Sequence, residues 1–166
     1  GNNMSETGCM RITHRGHKIY NNYFEGLTDD QQKSPIATYA GMGHDDYVVG
    51  EGGHVRADSV IIAHNTIVNC VSGIYSGHYD SDDDIDLPPA DNIYANNIVA
   101  NIGEGNGFDG NKGYSGENLL LEGNLLFNAE VGNFPDSGYA VADPQLTMVN
   151  GWYQVAESSP AVDAGV

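Results

Sequence analysis

The chain has 166 residues, enough for one domain with its own hydrophobic core. Its 23 acidic and 6 basic residues give a formal net charge of −17, which argues against nonspecific binding to nucleic acid. No stretch resembles a membrane span or a signal peptide, so we predict no membrane partner.

Short apolar segments separated by Gly, Asn and Asp predict an all-β protein, because no window shows sustained helical periodicity. In chain order the predicted strands lie in GCMRI (8–12), HKIYNNYF (17–24), SPIATYAG (34–41), VIIAHNTIVNC (60–70), GIYSGHY (73–79), NIYANNIVAN (92–101), NLLLEGNLLFN (118–128) and YAVADPQL (139–146).

Four of these segments share a frame in which an asparagine stands between two apolar residues. The asparagines are Asn22, Asn65, Asn96 and Asn124. Their spacing is compatible with the repeats of a β-solenoid, in which stacked side-chain amides form a hydrogen-bonded ladder. A sandwich or an open barrel is the competing architecture, but neither predicts a repeated asparagine frame.

The frame also predicts two inward-facing apolar columns beside the asparagines. The first would contain Ile19, Ile62, Ile93 and Leu121, and the second Phe24, Ile67, Ile98 and Leu126. We therefore expect residues 1–166 to form a single β-solenoid domain.

An acidic loop insertion is predicted around residues 77–91. Its sequence DSDDDIDLPPAD (80–91) resembles a calcium loop, but Ile85 and Asp91 stand where an EF-hand has Gly and Glu. Calcium is therefore possible as a cofactor, and no metal ligands are predicted. The same loop also fits a solvated insertion.

Several segments resemble the later rungs of chondroitinase-B-like polysaccharide lyases, which form lyase family six and include many alginate lyases. These are GCMRITHRGHKIYNNYFEGL (8–27), KSPIATYAG (33–41), DSVIIAHNTIVNC (58–70), DNIYANNIVAN (91–101) and DPQLTMVNGWYQVAESSPAVDAG (143–165). The resemblance implies a right-handed parallel β-helix, an acidic polysaccharide such as alginate as partner, β-elimination chemistry, and an extracellular or periplasmic location.

The same resemblance implies that the family's catalytic rungs precede Gly1. These rungs carry the calcium carboxylates, a lysine base and an arginine in an RHG motif. The HRG at 14–16 lies in a later rung, so no catalytic residue is predicted. We expect the chain to lack its N-terminal rungs, and elimination to require that they be supplied.

Basic and aromatic residues near the N-terminus are the candidates for substrate binding. Five of the six cations lie in residues 1–56, which predicts a basic surface on an acidic body. Because Met10 and Ile12 would point inward, Arg11 between them would point outward. The predicted substrate-binding residues are Arg11, His14, Arg15, Lys33 and Tyr39.

Two noncatalytic functions stay open: a structural solenoid that assembles end to end, and a carbohydrate-binding module. An uncovered N-terminal rung would present unpaired strand edges, so we expect self-association or additional polypeptide at that end. Cys9 and Cys70 are taken as buried thiols, with a single disulfide as the alternative.

Overall fold

The computed structural model describes residues 10–28, 34–48, 53–78, 87–111 and 116–165. These residues form short strands without helices. The strands are β1 (Met10–Ile12), β2 (Lys18–Tyr20), β3 (Tyr23–Glu25), β4 (Ile36–Tyr39), β5 (Ile61–Ala63), β6 (Thr66–Val68), β7 (Ile74–His78), β8 (Ile93–Ala95), β9 (Ile98–Ala100), β10 (Phe108–Gly110), β11 (Leu120–Glu122), β12 (Asn124–Phe127), β13 (Tyr139–Val141), β14 (Leu146–Val149) and β15 (Trp152–Val155).

From β1 to β12, consecutive strands belong to different sheets, and every third strand returns to the same sheet one rung further along. The first sheet has the order β1-β4-β7-β10, the second β2-β5-β8-β11, and the third β3-β6-β9-β12-β13. All pairings within these sheets are parallel. The predicted parallel β-helix is therefore confirmed, and the antiparallel sandwich is excluded.

The core lies inside the coil, where side chains from equivalent strand positions stack. The register places Ile19, Ile62, Tyr94 and Leu121 in one inward column of the second sheet, and Phe24, Ile67, Val99 and Leu126 in one of the third. The sequence frame named Ile93 and Ile98 at the third rung, and it is wrong there by one residue. A slip of one position exchanges the two faces of a strand.

A buried asparagine ladder runs along the corner between the second and third sheets. Its members are Asn22, Asn65, Asn97 and Asn124, so the predicted Asn96 is replaced by its neighbour. In each step the backbone N–H and the amide N–H of one asparagine donate to the amide oxygen of the next, all at 3.0 Å.

The residue before each ladder asparagine has the left-handed backbone that makes this corner tight. The φ angles are 57° at Asn21, 55° at His64, 55° at Asn96 and 62° at Gly123. Asparagine and glycine tolerate this conformation best. The tandem asparagines in IYNNYF and IYANNI therefore have separate tasks: the first turns the chain and the second joins the ladder.

The C-terminal part of the chain covers one end and one side of the coil. Phe134 stacks on Tyr94 and Phe108, with ring centroids 6.1 and 5.8 Å away. The antiparallel hairpin of β14 and β15 lies against the third sheet, where the Tyr153 backbone N–H donates to the Tyr23 hydroxyl at 3.3 Å.

Two of the sequence predictions fall partly outside the described residues. Cys70 is buried, whereas Cys9 lies outside the described residues. Most of the acidic loop predicted at 77–91 also lies outside them, at 79–86. No helix in the described part of the chain is long and apolar enough to cross a membrane.

Candidate functional site

The outer face of the first sheet carries most of the residues predicted to bind substrate. In β1 and β4, Met10 pairs with Ile36 in the core, and the alternation of the strand turns Arg11 to the exposed outer side. Tyr39 ends β4 on the same side and is half-buried. This surface, the Arg11–Tyr39 face, is where the first two rungs meet.

Arg11 lies over the ring of Tyr39, with its guanidinium carbon 4.1 Å from the ring centroid. Such a cation–π contact orients the guanidinium plane on the tyrosine ring. It also covers one face of the tyrosine ring. Tyr39 therefore serves to orient Arg11.

His54 supports the tyrosine from the other direction. Its ring meets Tyr39 edge to face, with centroids 5.7 Å apart and planes inclined by 70°. Its Nε2 lies 2.8 Å from the Ala40 carbonyl oxygen. Because a carbonyl oxygen only accepts, Nε2 carries a proton and donates. The resulting stack of Arg11, Tyr39 and His54 is anchored at the His54 end by this hydrogen bond.

His14 turns away from that stack. Its φ is +67°, and its ring meets the ring of Tyr47 edge to face at 5.5 Å. The His14 backbone N–H donates to the Val55 carbonyl at 3.0 Å, which places it beside the segment carrying His54. His14 thus borders the Arg11–Tyr39 face, and its ring contacts another partner.

Arg15 is engaged in an ion pair at the next corner. Its guanidinium donates to the Asp58 carboxylate at 2.8 Å, and the Ser59 hydroxyl donates to the same carboxylate at 2.6 Å. Burial alone would raise the pKa of Asp58, but these two hydrogen bonds outweigh it and hold the pKa below its ordinary value. Arg15 is therefore paired with Asp58, while its side chain remains 57% exposed.

Lys33, the fifth predicted residue, lies outside the described residues. His54 was not predicted, because it comes from an irregular segment between β4 and β5 that has no strand period. Tyr75 was also missed, although its place in GIYSG carries a signal. Ile74 points into the core, so strand alternation turns Tyr75 to the outer face.

Along the first sheet the outer face changes from cationic to anionic. Arg11, Ala37, Tyr75 and Asp109 occupy equivalent positions on successive strands. The Tyr75 hydroxyl donates to Asn111 at 2.8 Å. The Asp109 carboxylate accepts from the Asn106 amide at 3.0 Å and from the Gly110 backbone N–H at 2.8 Å. Among the described residues of this face, the charges favour a negatively charged ligand at the Arg11 end.

Metal-ligating side chains are not grouped in the described part of the chain. It contains no group of three or more His, Cys, Asp or Glu side chains that could hold a metal ion. Most of the acidic loop lies outside that part.

A parallel β-helix with a cation–aromatic surface on one outer face is an architecture suited to long, repetitive ligands. The family model for Chondroitinase B matches residues 1–130, and the chain belongs to this family. The resemblance stated from residues 8–27 is thereby confirmed.

The fold is also similar to that of a solved lyase, the PL6 family alginate lyase AlyGC. The TM-score is 0.74 at 24% sequence identity, over 92% of this chain and 20% of that one. The chain thus spans about a fifth of that lyase. Comparison with curated proteins finds no significant match.

Proposed function

We propose that the chain binds an acidic polysaccharide such as alginate on the Arg11–Tyr39 face, as the later part of a lyase-like β-helix in an extracellular or periplasmic protein. The observation that carries this proposal is the exposed guanidinium oriented on Tyr39 at 4.1 Å. Membership of the Chondroitinase B family supports the same class of ligand.

The chemistry of the contact favours a uronate. A guanidinium presents paired N–H donors that match the two oxygens of a carboxylate. Its donors are held in place before the ligand arrives, so less rotational freedom is lost on binding. The body of the protein repels polyanions at a net charge of −17, so binding requires a local cation of this kind.

We assign the described residues a binding role rather than a complete catalytic one. β-Elimination requires a base at C5 of the uronate, a cation that neutralises its carboxylate, and an acid at the leaving oxygen. Arg11 can supply the neutralising charge. His54, the nearest imidazole in the stack, uses its Nε2 proton to bind Ala40, which makes it a supporting group.

A matched pair of charge-removing variants tests the binding site. Arg11→Gln removes the cation from the first sheet, and Lys18→Gln removes an exposed cation from the second sheet. Arg11→Gln should weaken alginate-oligosaccharide binding about tenfold or more, since a charge-assisted hydrogen bond contributes about 1.5–3 kcal/mol. Lys18→Gln should change affinity little.

Calorimetric titration measures both variants. Arg11→Lys should restore only part of the affinity, because an ammonium keeps the charge but lacks the planar fork. An equal loss in Arg11→Gln and Lys18→Gln would show that only overall charge matters. Unchanged affinity in Arg11→Gln would place the binding site elsewhere.

Catalysis is tested separately from binding. Elimination leaves an unsaturated uronate that absorbs in the ultraviolet. We expect the 166-residue chain to give no such product from alginate, chondroitin sulfate or dermatan sulfate with added calcium. Product formation at enzymatic rates would show that the chain holds a full catalytic set, and Arg11, Arg15 and Lys33 would then be the first residues to substitute.

A further inference from the structure

The hairpin over the third sheet presents an aromatic surface that the proposed function does not use. Trp152 is the only tryptophan of the chain and is 56% exposed. Its ring meets Tyr23 edge to face, with centroids 5.2 Å apart and planes inclined by 74°. An exposed tryptophan held by a second aromatic ring is a large, rigid surface that loses little freedom on binding.

Polar groups surround this pair in a fixed arrangement. The Tyr23 hydroxyl donates to the Glu25 carboxylate at 2.7 Å and accepts from the Tyr153 backbone N–H at 3.3 Å. Burial, together with the hydrogen bond to Glu25, raises the pKa of Tyr23 to about 12, so the hydroxyl keeps its proton over the working pH range. One carboxylate oxygen of Glu25 is thus engaged by Tyr23.

Asn69 connects the aromatic pair to a groove. The Asn69 amide donates to the Tyr153 hydroxyl at 3.4 Å, and Asn69 also lines a groove of about 370 Å³ at the corner after the third sheet. Thr28, Asn101 and Glu104 line the same groove. The surface therefore continues from an aromatic ring into a groove with hydroxyl, amide and carboxylate groups.

This combination has the chemistry of a site for neutral sugars. The apolar face of a pyranose packs on an aromatic ring, while its hydroxyls donate to carboxylates and exchange hydrogen bonds with amides. Among the described residues that line the groove there is Glu104 and no Lys or Arg, and Glu25 lies beside the aromatic pair. A uronate would meet like charge here, unlike at Arg11.

We propose that Trp152, Tyr23 and the groove lined by Asn69, Asn101 and Glu104 form a second carbohydrate site, which takes neutral sugar units. The site lies outside the third sheet, whereas the Arg11–Tyr39 face lies outside the first. Two sites on different sides would let the protein hold an uncharged glycan while the other face contacts an acidic one. This proposal does not depend on the proposed function.

Tryptophan emission tests the second site directly, because every emission change reports on Trp152. The probes are cellotetraose, mannotetraose and maltotetraose as neutral glycans, and oligomannuronate and oligoguluronate as acidic ones. At least one neutral probe should shift the emission saturably, with a dissociation constant of about 1 mM or tighter. The acidic probes should shift it weakly or not at all.

Two variants separate stacking from general surface effects. Trp152→Ala should weaken the binding of neutral probes, measured by calorimetry, at least tenfold. Tyr20→Ala is the matched control, because Tyr20 is 57% exposed but belongs to the second sheet, and it should leave binding unchanged. Arg11→Gln should also leave neutral-probe binding unchanged. Cooperative thermal unfolding of Trp152→Ala, followed by circular dichroism, shows that this variant is folded.

Three results would overturn the proposal. The first is that no neutral probe alters the emission at millimolar concentration. The second is that Tyr20→Ala weakens neutral binding as much as Trp152→Ala. The third is that only acidic probes shift the emission, with Trp152→Ala abolishing their binding, since the site would then be an acidic-glycan site.

Discussion

Replacing Asn97 by alanine should destabilise the protein more than the same substitution at its neighbour Asn96 or at Asn22, the first member of the ladder. The Asn97 side chain is fully buried and makes four hydrogen bonds. Its oxygen accepts from the backbone N–H and the amide of Asn65, and its amide donates to the Ile62 carbonyl and to Asn124. Alanine removes all four bonds without opening a path for water.

The magnitude follows from what each former partner retains. The Asn65 amide still donates to the Ile19 carbonyl at 3.0 Å, and the Asn124 oxygen still accepts from the Asn97 backbone N–H at 3.0 Å. The Asn65 backbone N–H is left without that acceptor. A buried donor without an acceptor costs about 1–3 kcal/mol, and the loss of the hydrogen bond from the Asn97 amide to the Ile62 carbonyl adds about 1 kcal/mol. The total destabilisation is therefore about 2–4 kcal/mol.

Two matched substitutions calibrate this value. Asn96→Ala removes the adjacent asparagine, whose φ is 55°, and should cost about 1–2 kcal/mol from left-handed strain. Asn22→Ala removes the partly exposed first member of the ladder. The Asn65 oxygen then still accepts from the Asn22 backbone N–H, so the cost is about 0.5–1.5 kcal/mol.

Thermal and chemical unfolding measure the series. For a chain of this size, Asn97→Ala should lower Tm by on the order of 5–15 °C. The expected order of destabilisation is Asn97, then Asn96, then Asn22. A larger loss at Asn96 than at Asn97 would refute the ladder register, and equal losses at Asn97 and Asn22 would refute the importance of burial.

The remaining predictions concern stacking and pH. Gly73→Ala should destabilise strongly in denaturant titrations because its methyl group would clash with the Gly107 carbonyl of the next rung, whereas Gly16→Ala, at φ +78° with open space, should cost only backbone strain. Asp58 has a lowered pKa, so it contributes stability that is present above its ordinary pKa of 3.8 and is lost as pH falls through the folded value. The stability difference between the wild-type protein and Asp58→Asn should therefore shrink under acid, and a difference constant from neutral pH to pH 2 would contradict the Arg15 pairing.

A β-solenoid could be predicted because its asparagine corner repeats along the sequence, and the resemblance to the lyase family implied that it is a parallel β-helix. The residue-by-residue register could not be fixed at the third rung, since NIYANNIVAN offers apolar residues at both strand parities. The deciding interaction is distant in sequence. The Tyr94 hydroxyl bonds Thr38 at 2.8 Å across the core, which lets a tyrosine occupy the inward column in place of Ile93.

For the candidate site, the outward direction of single side chains could be predicted from the sequence, but the contacts between them could not. Strand alternation indicates that Arg11 and Tyr39 face outward, because both neighbours of Arg11 are apolar. Alternation does not indicate that the two side chains touch, since that contact depends on which rungs are adjacent. The ion pair of Arg15 with Asp58 spans 43 residues, and His54 belongs to a segment without strand periodicity. Neither could be derived from local pattern.

The buried polar interactions explain how a small, acidic coil can present one cation in a fixed place. Thr38 points inward and forms hydrogen bonds with Ser76 at 3.1 Å and with Tyr94 at 2.8 Å. These bonds determine which side of β4 faces the core. The next residue, Tyr39, must then face outward, where Arg11 of the adjacent strand reaches its ring. A slip of β4 by one residue would bury Tyr39 and leave the Thr38 hydroxyl outside. The hydroxyl network therefore specifies the orientation of the Arg11–Tyr39 face as well as the packing of the core.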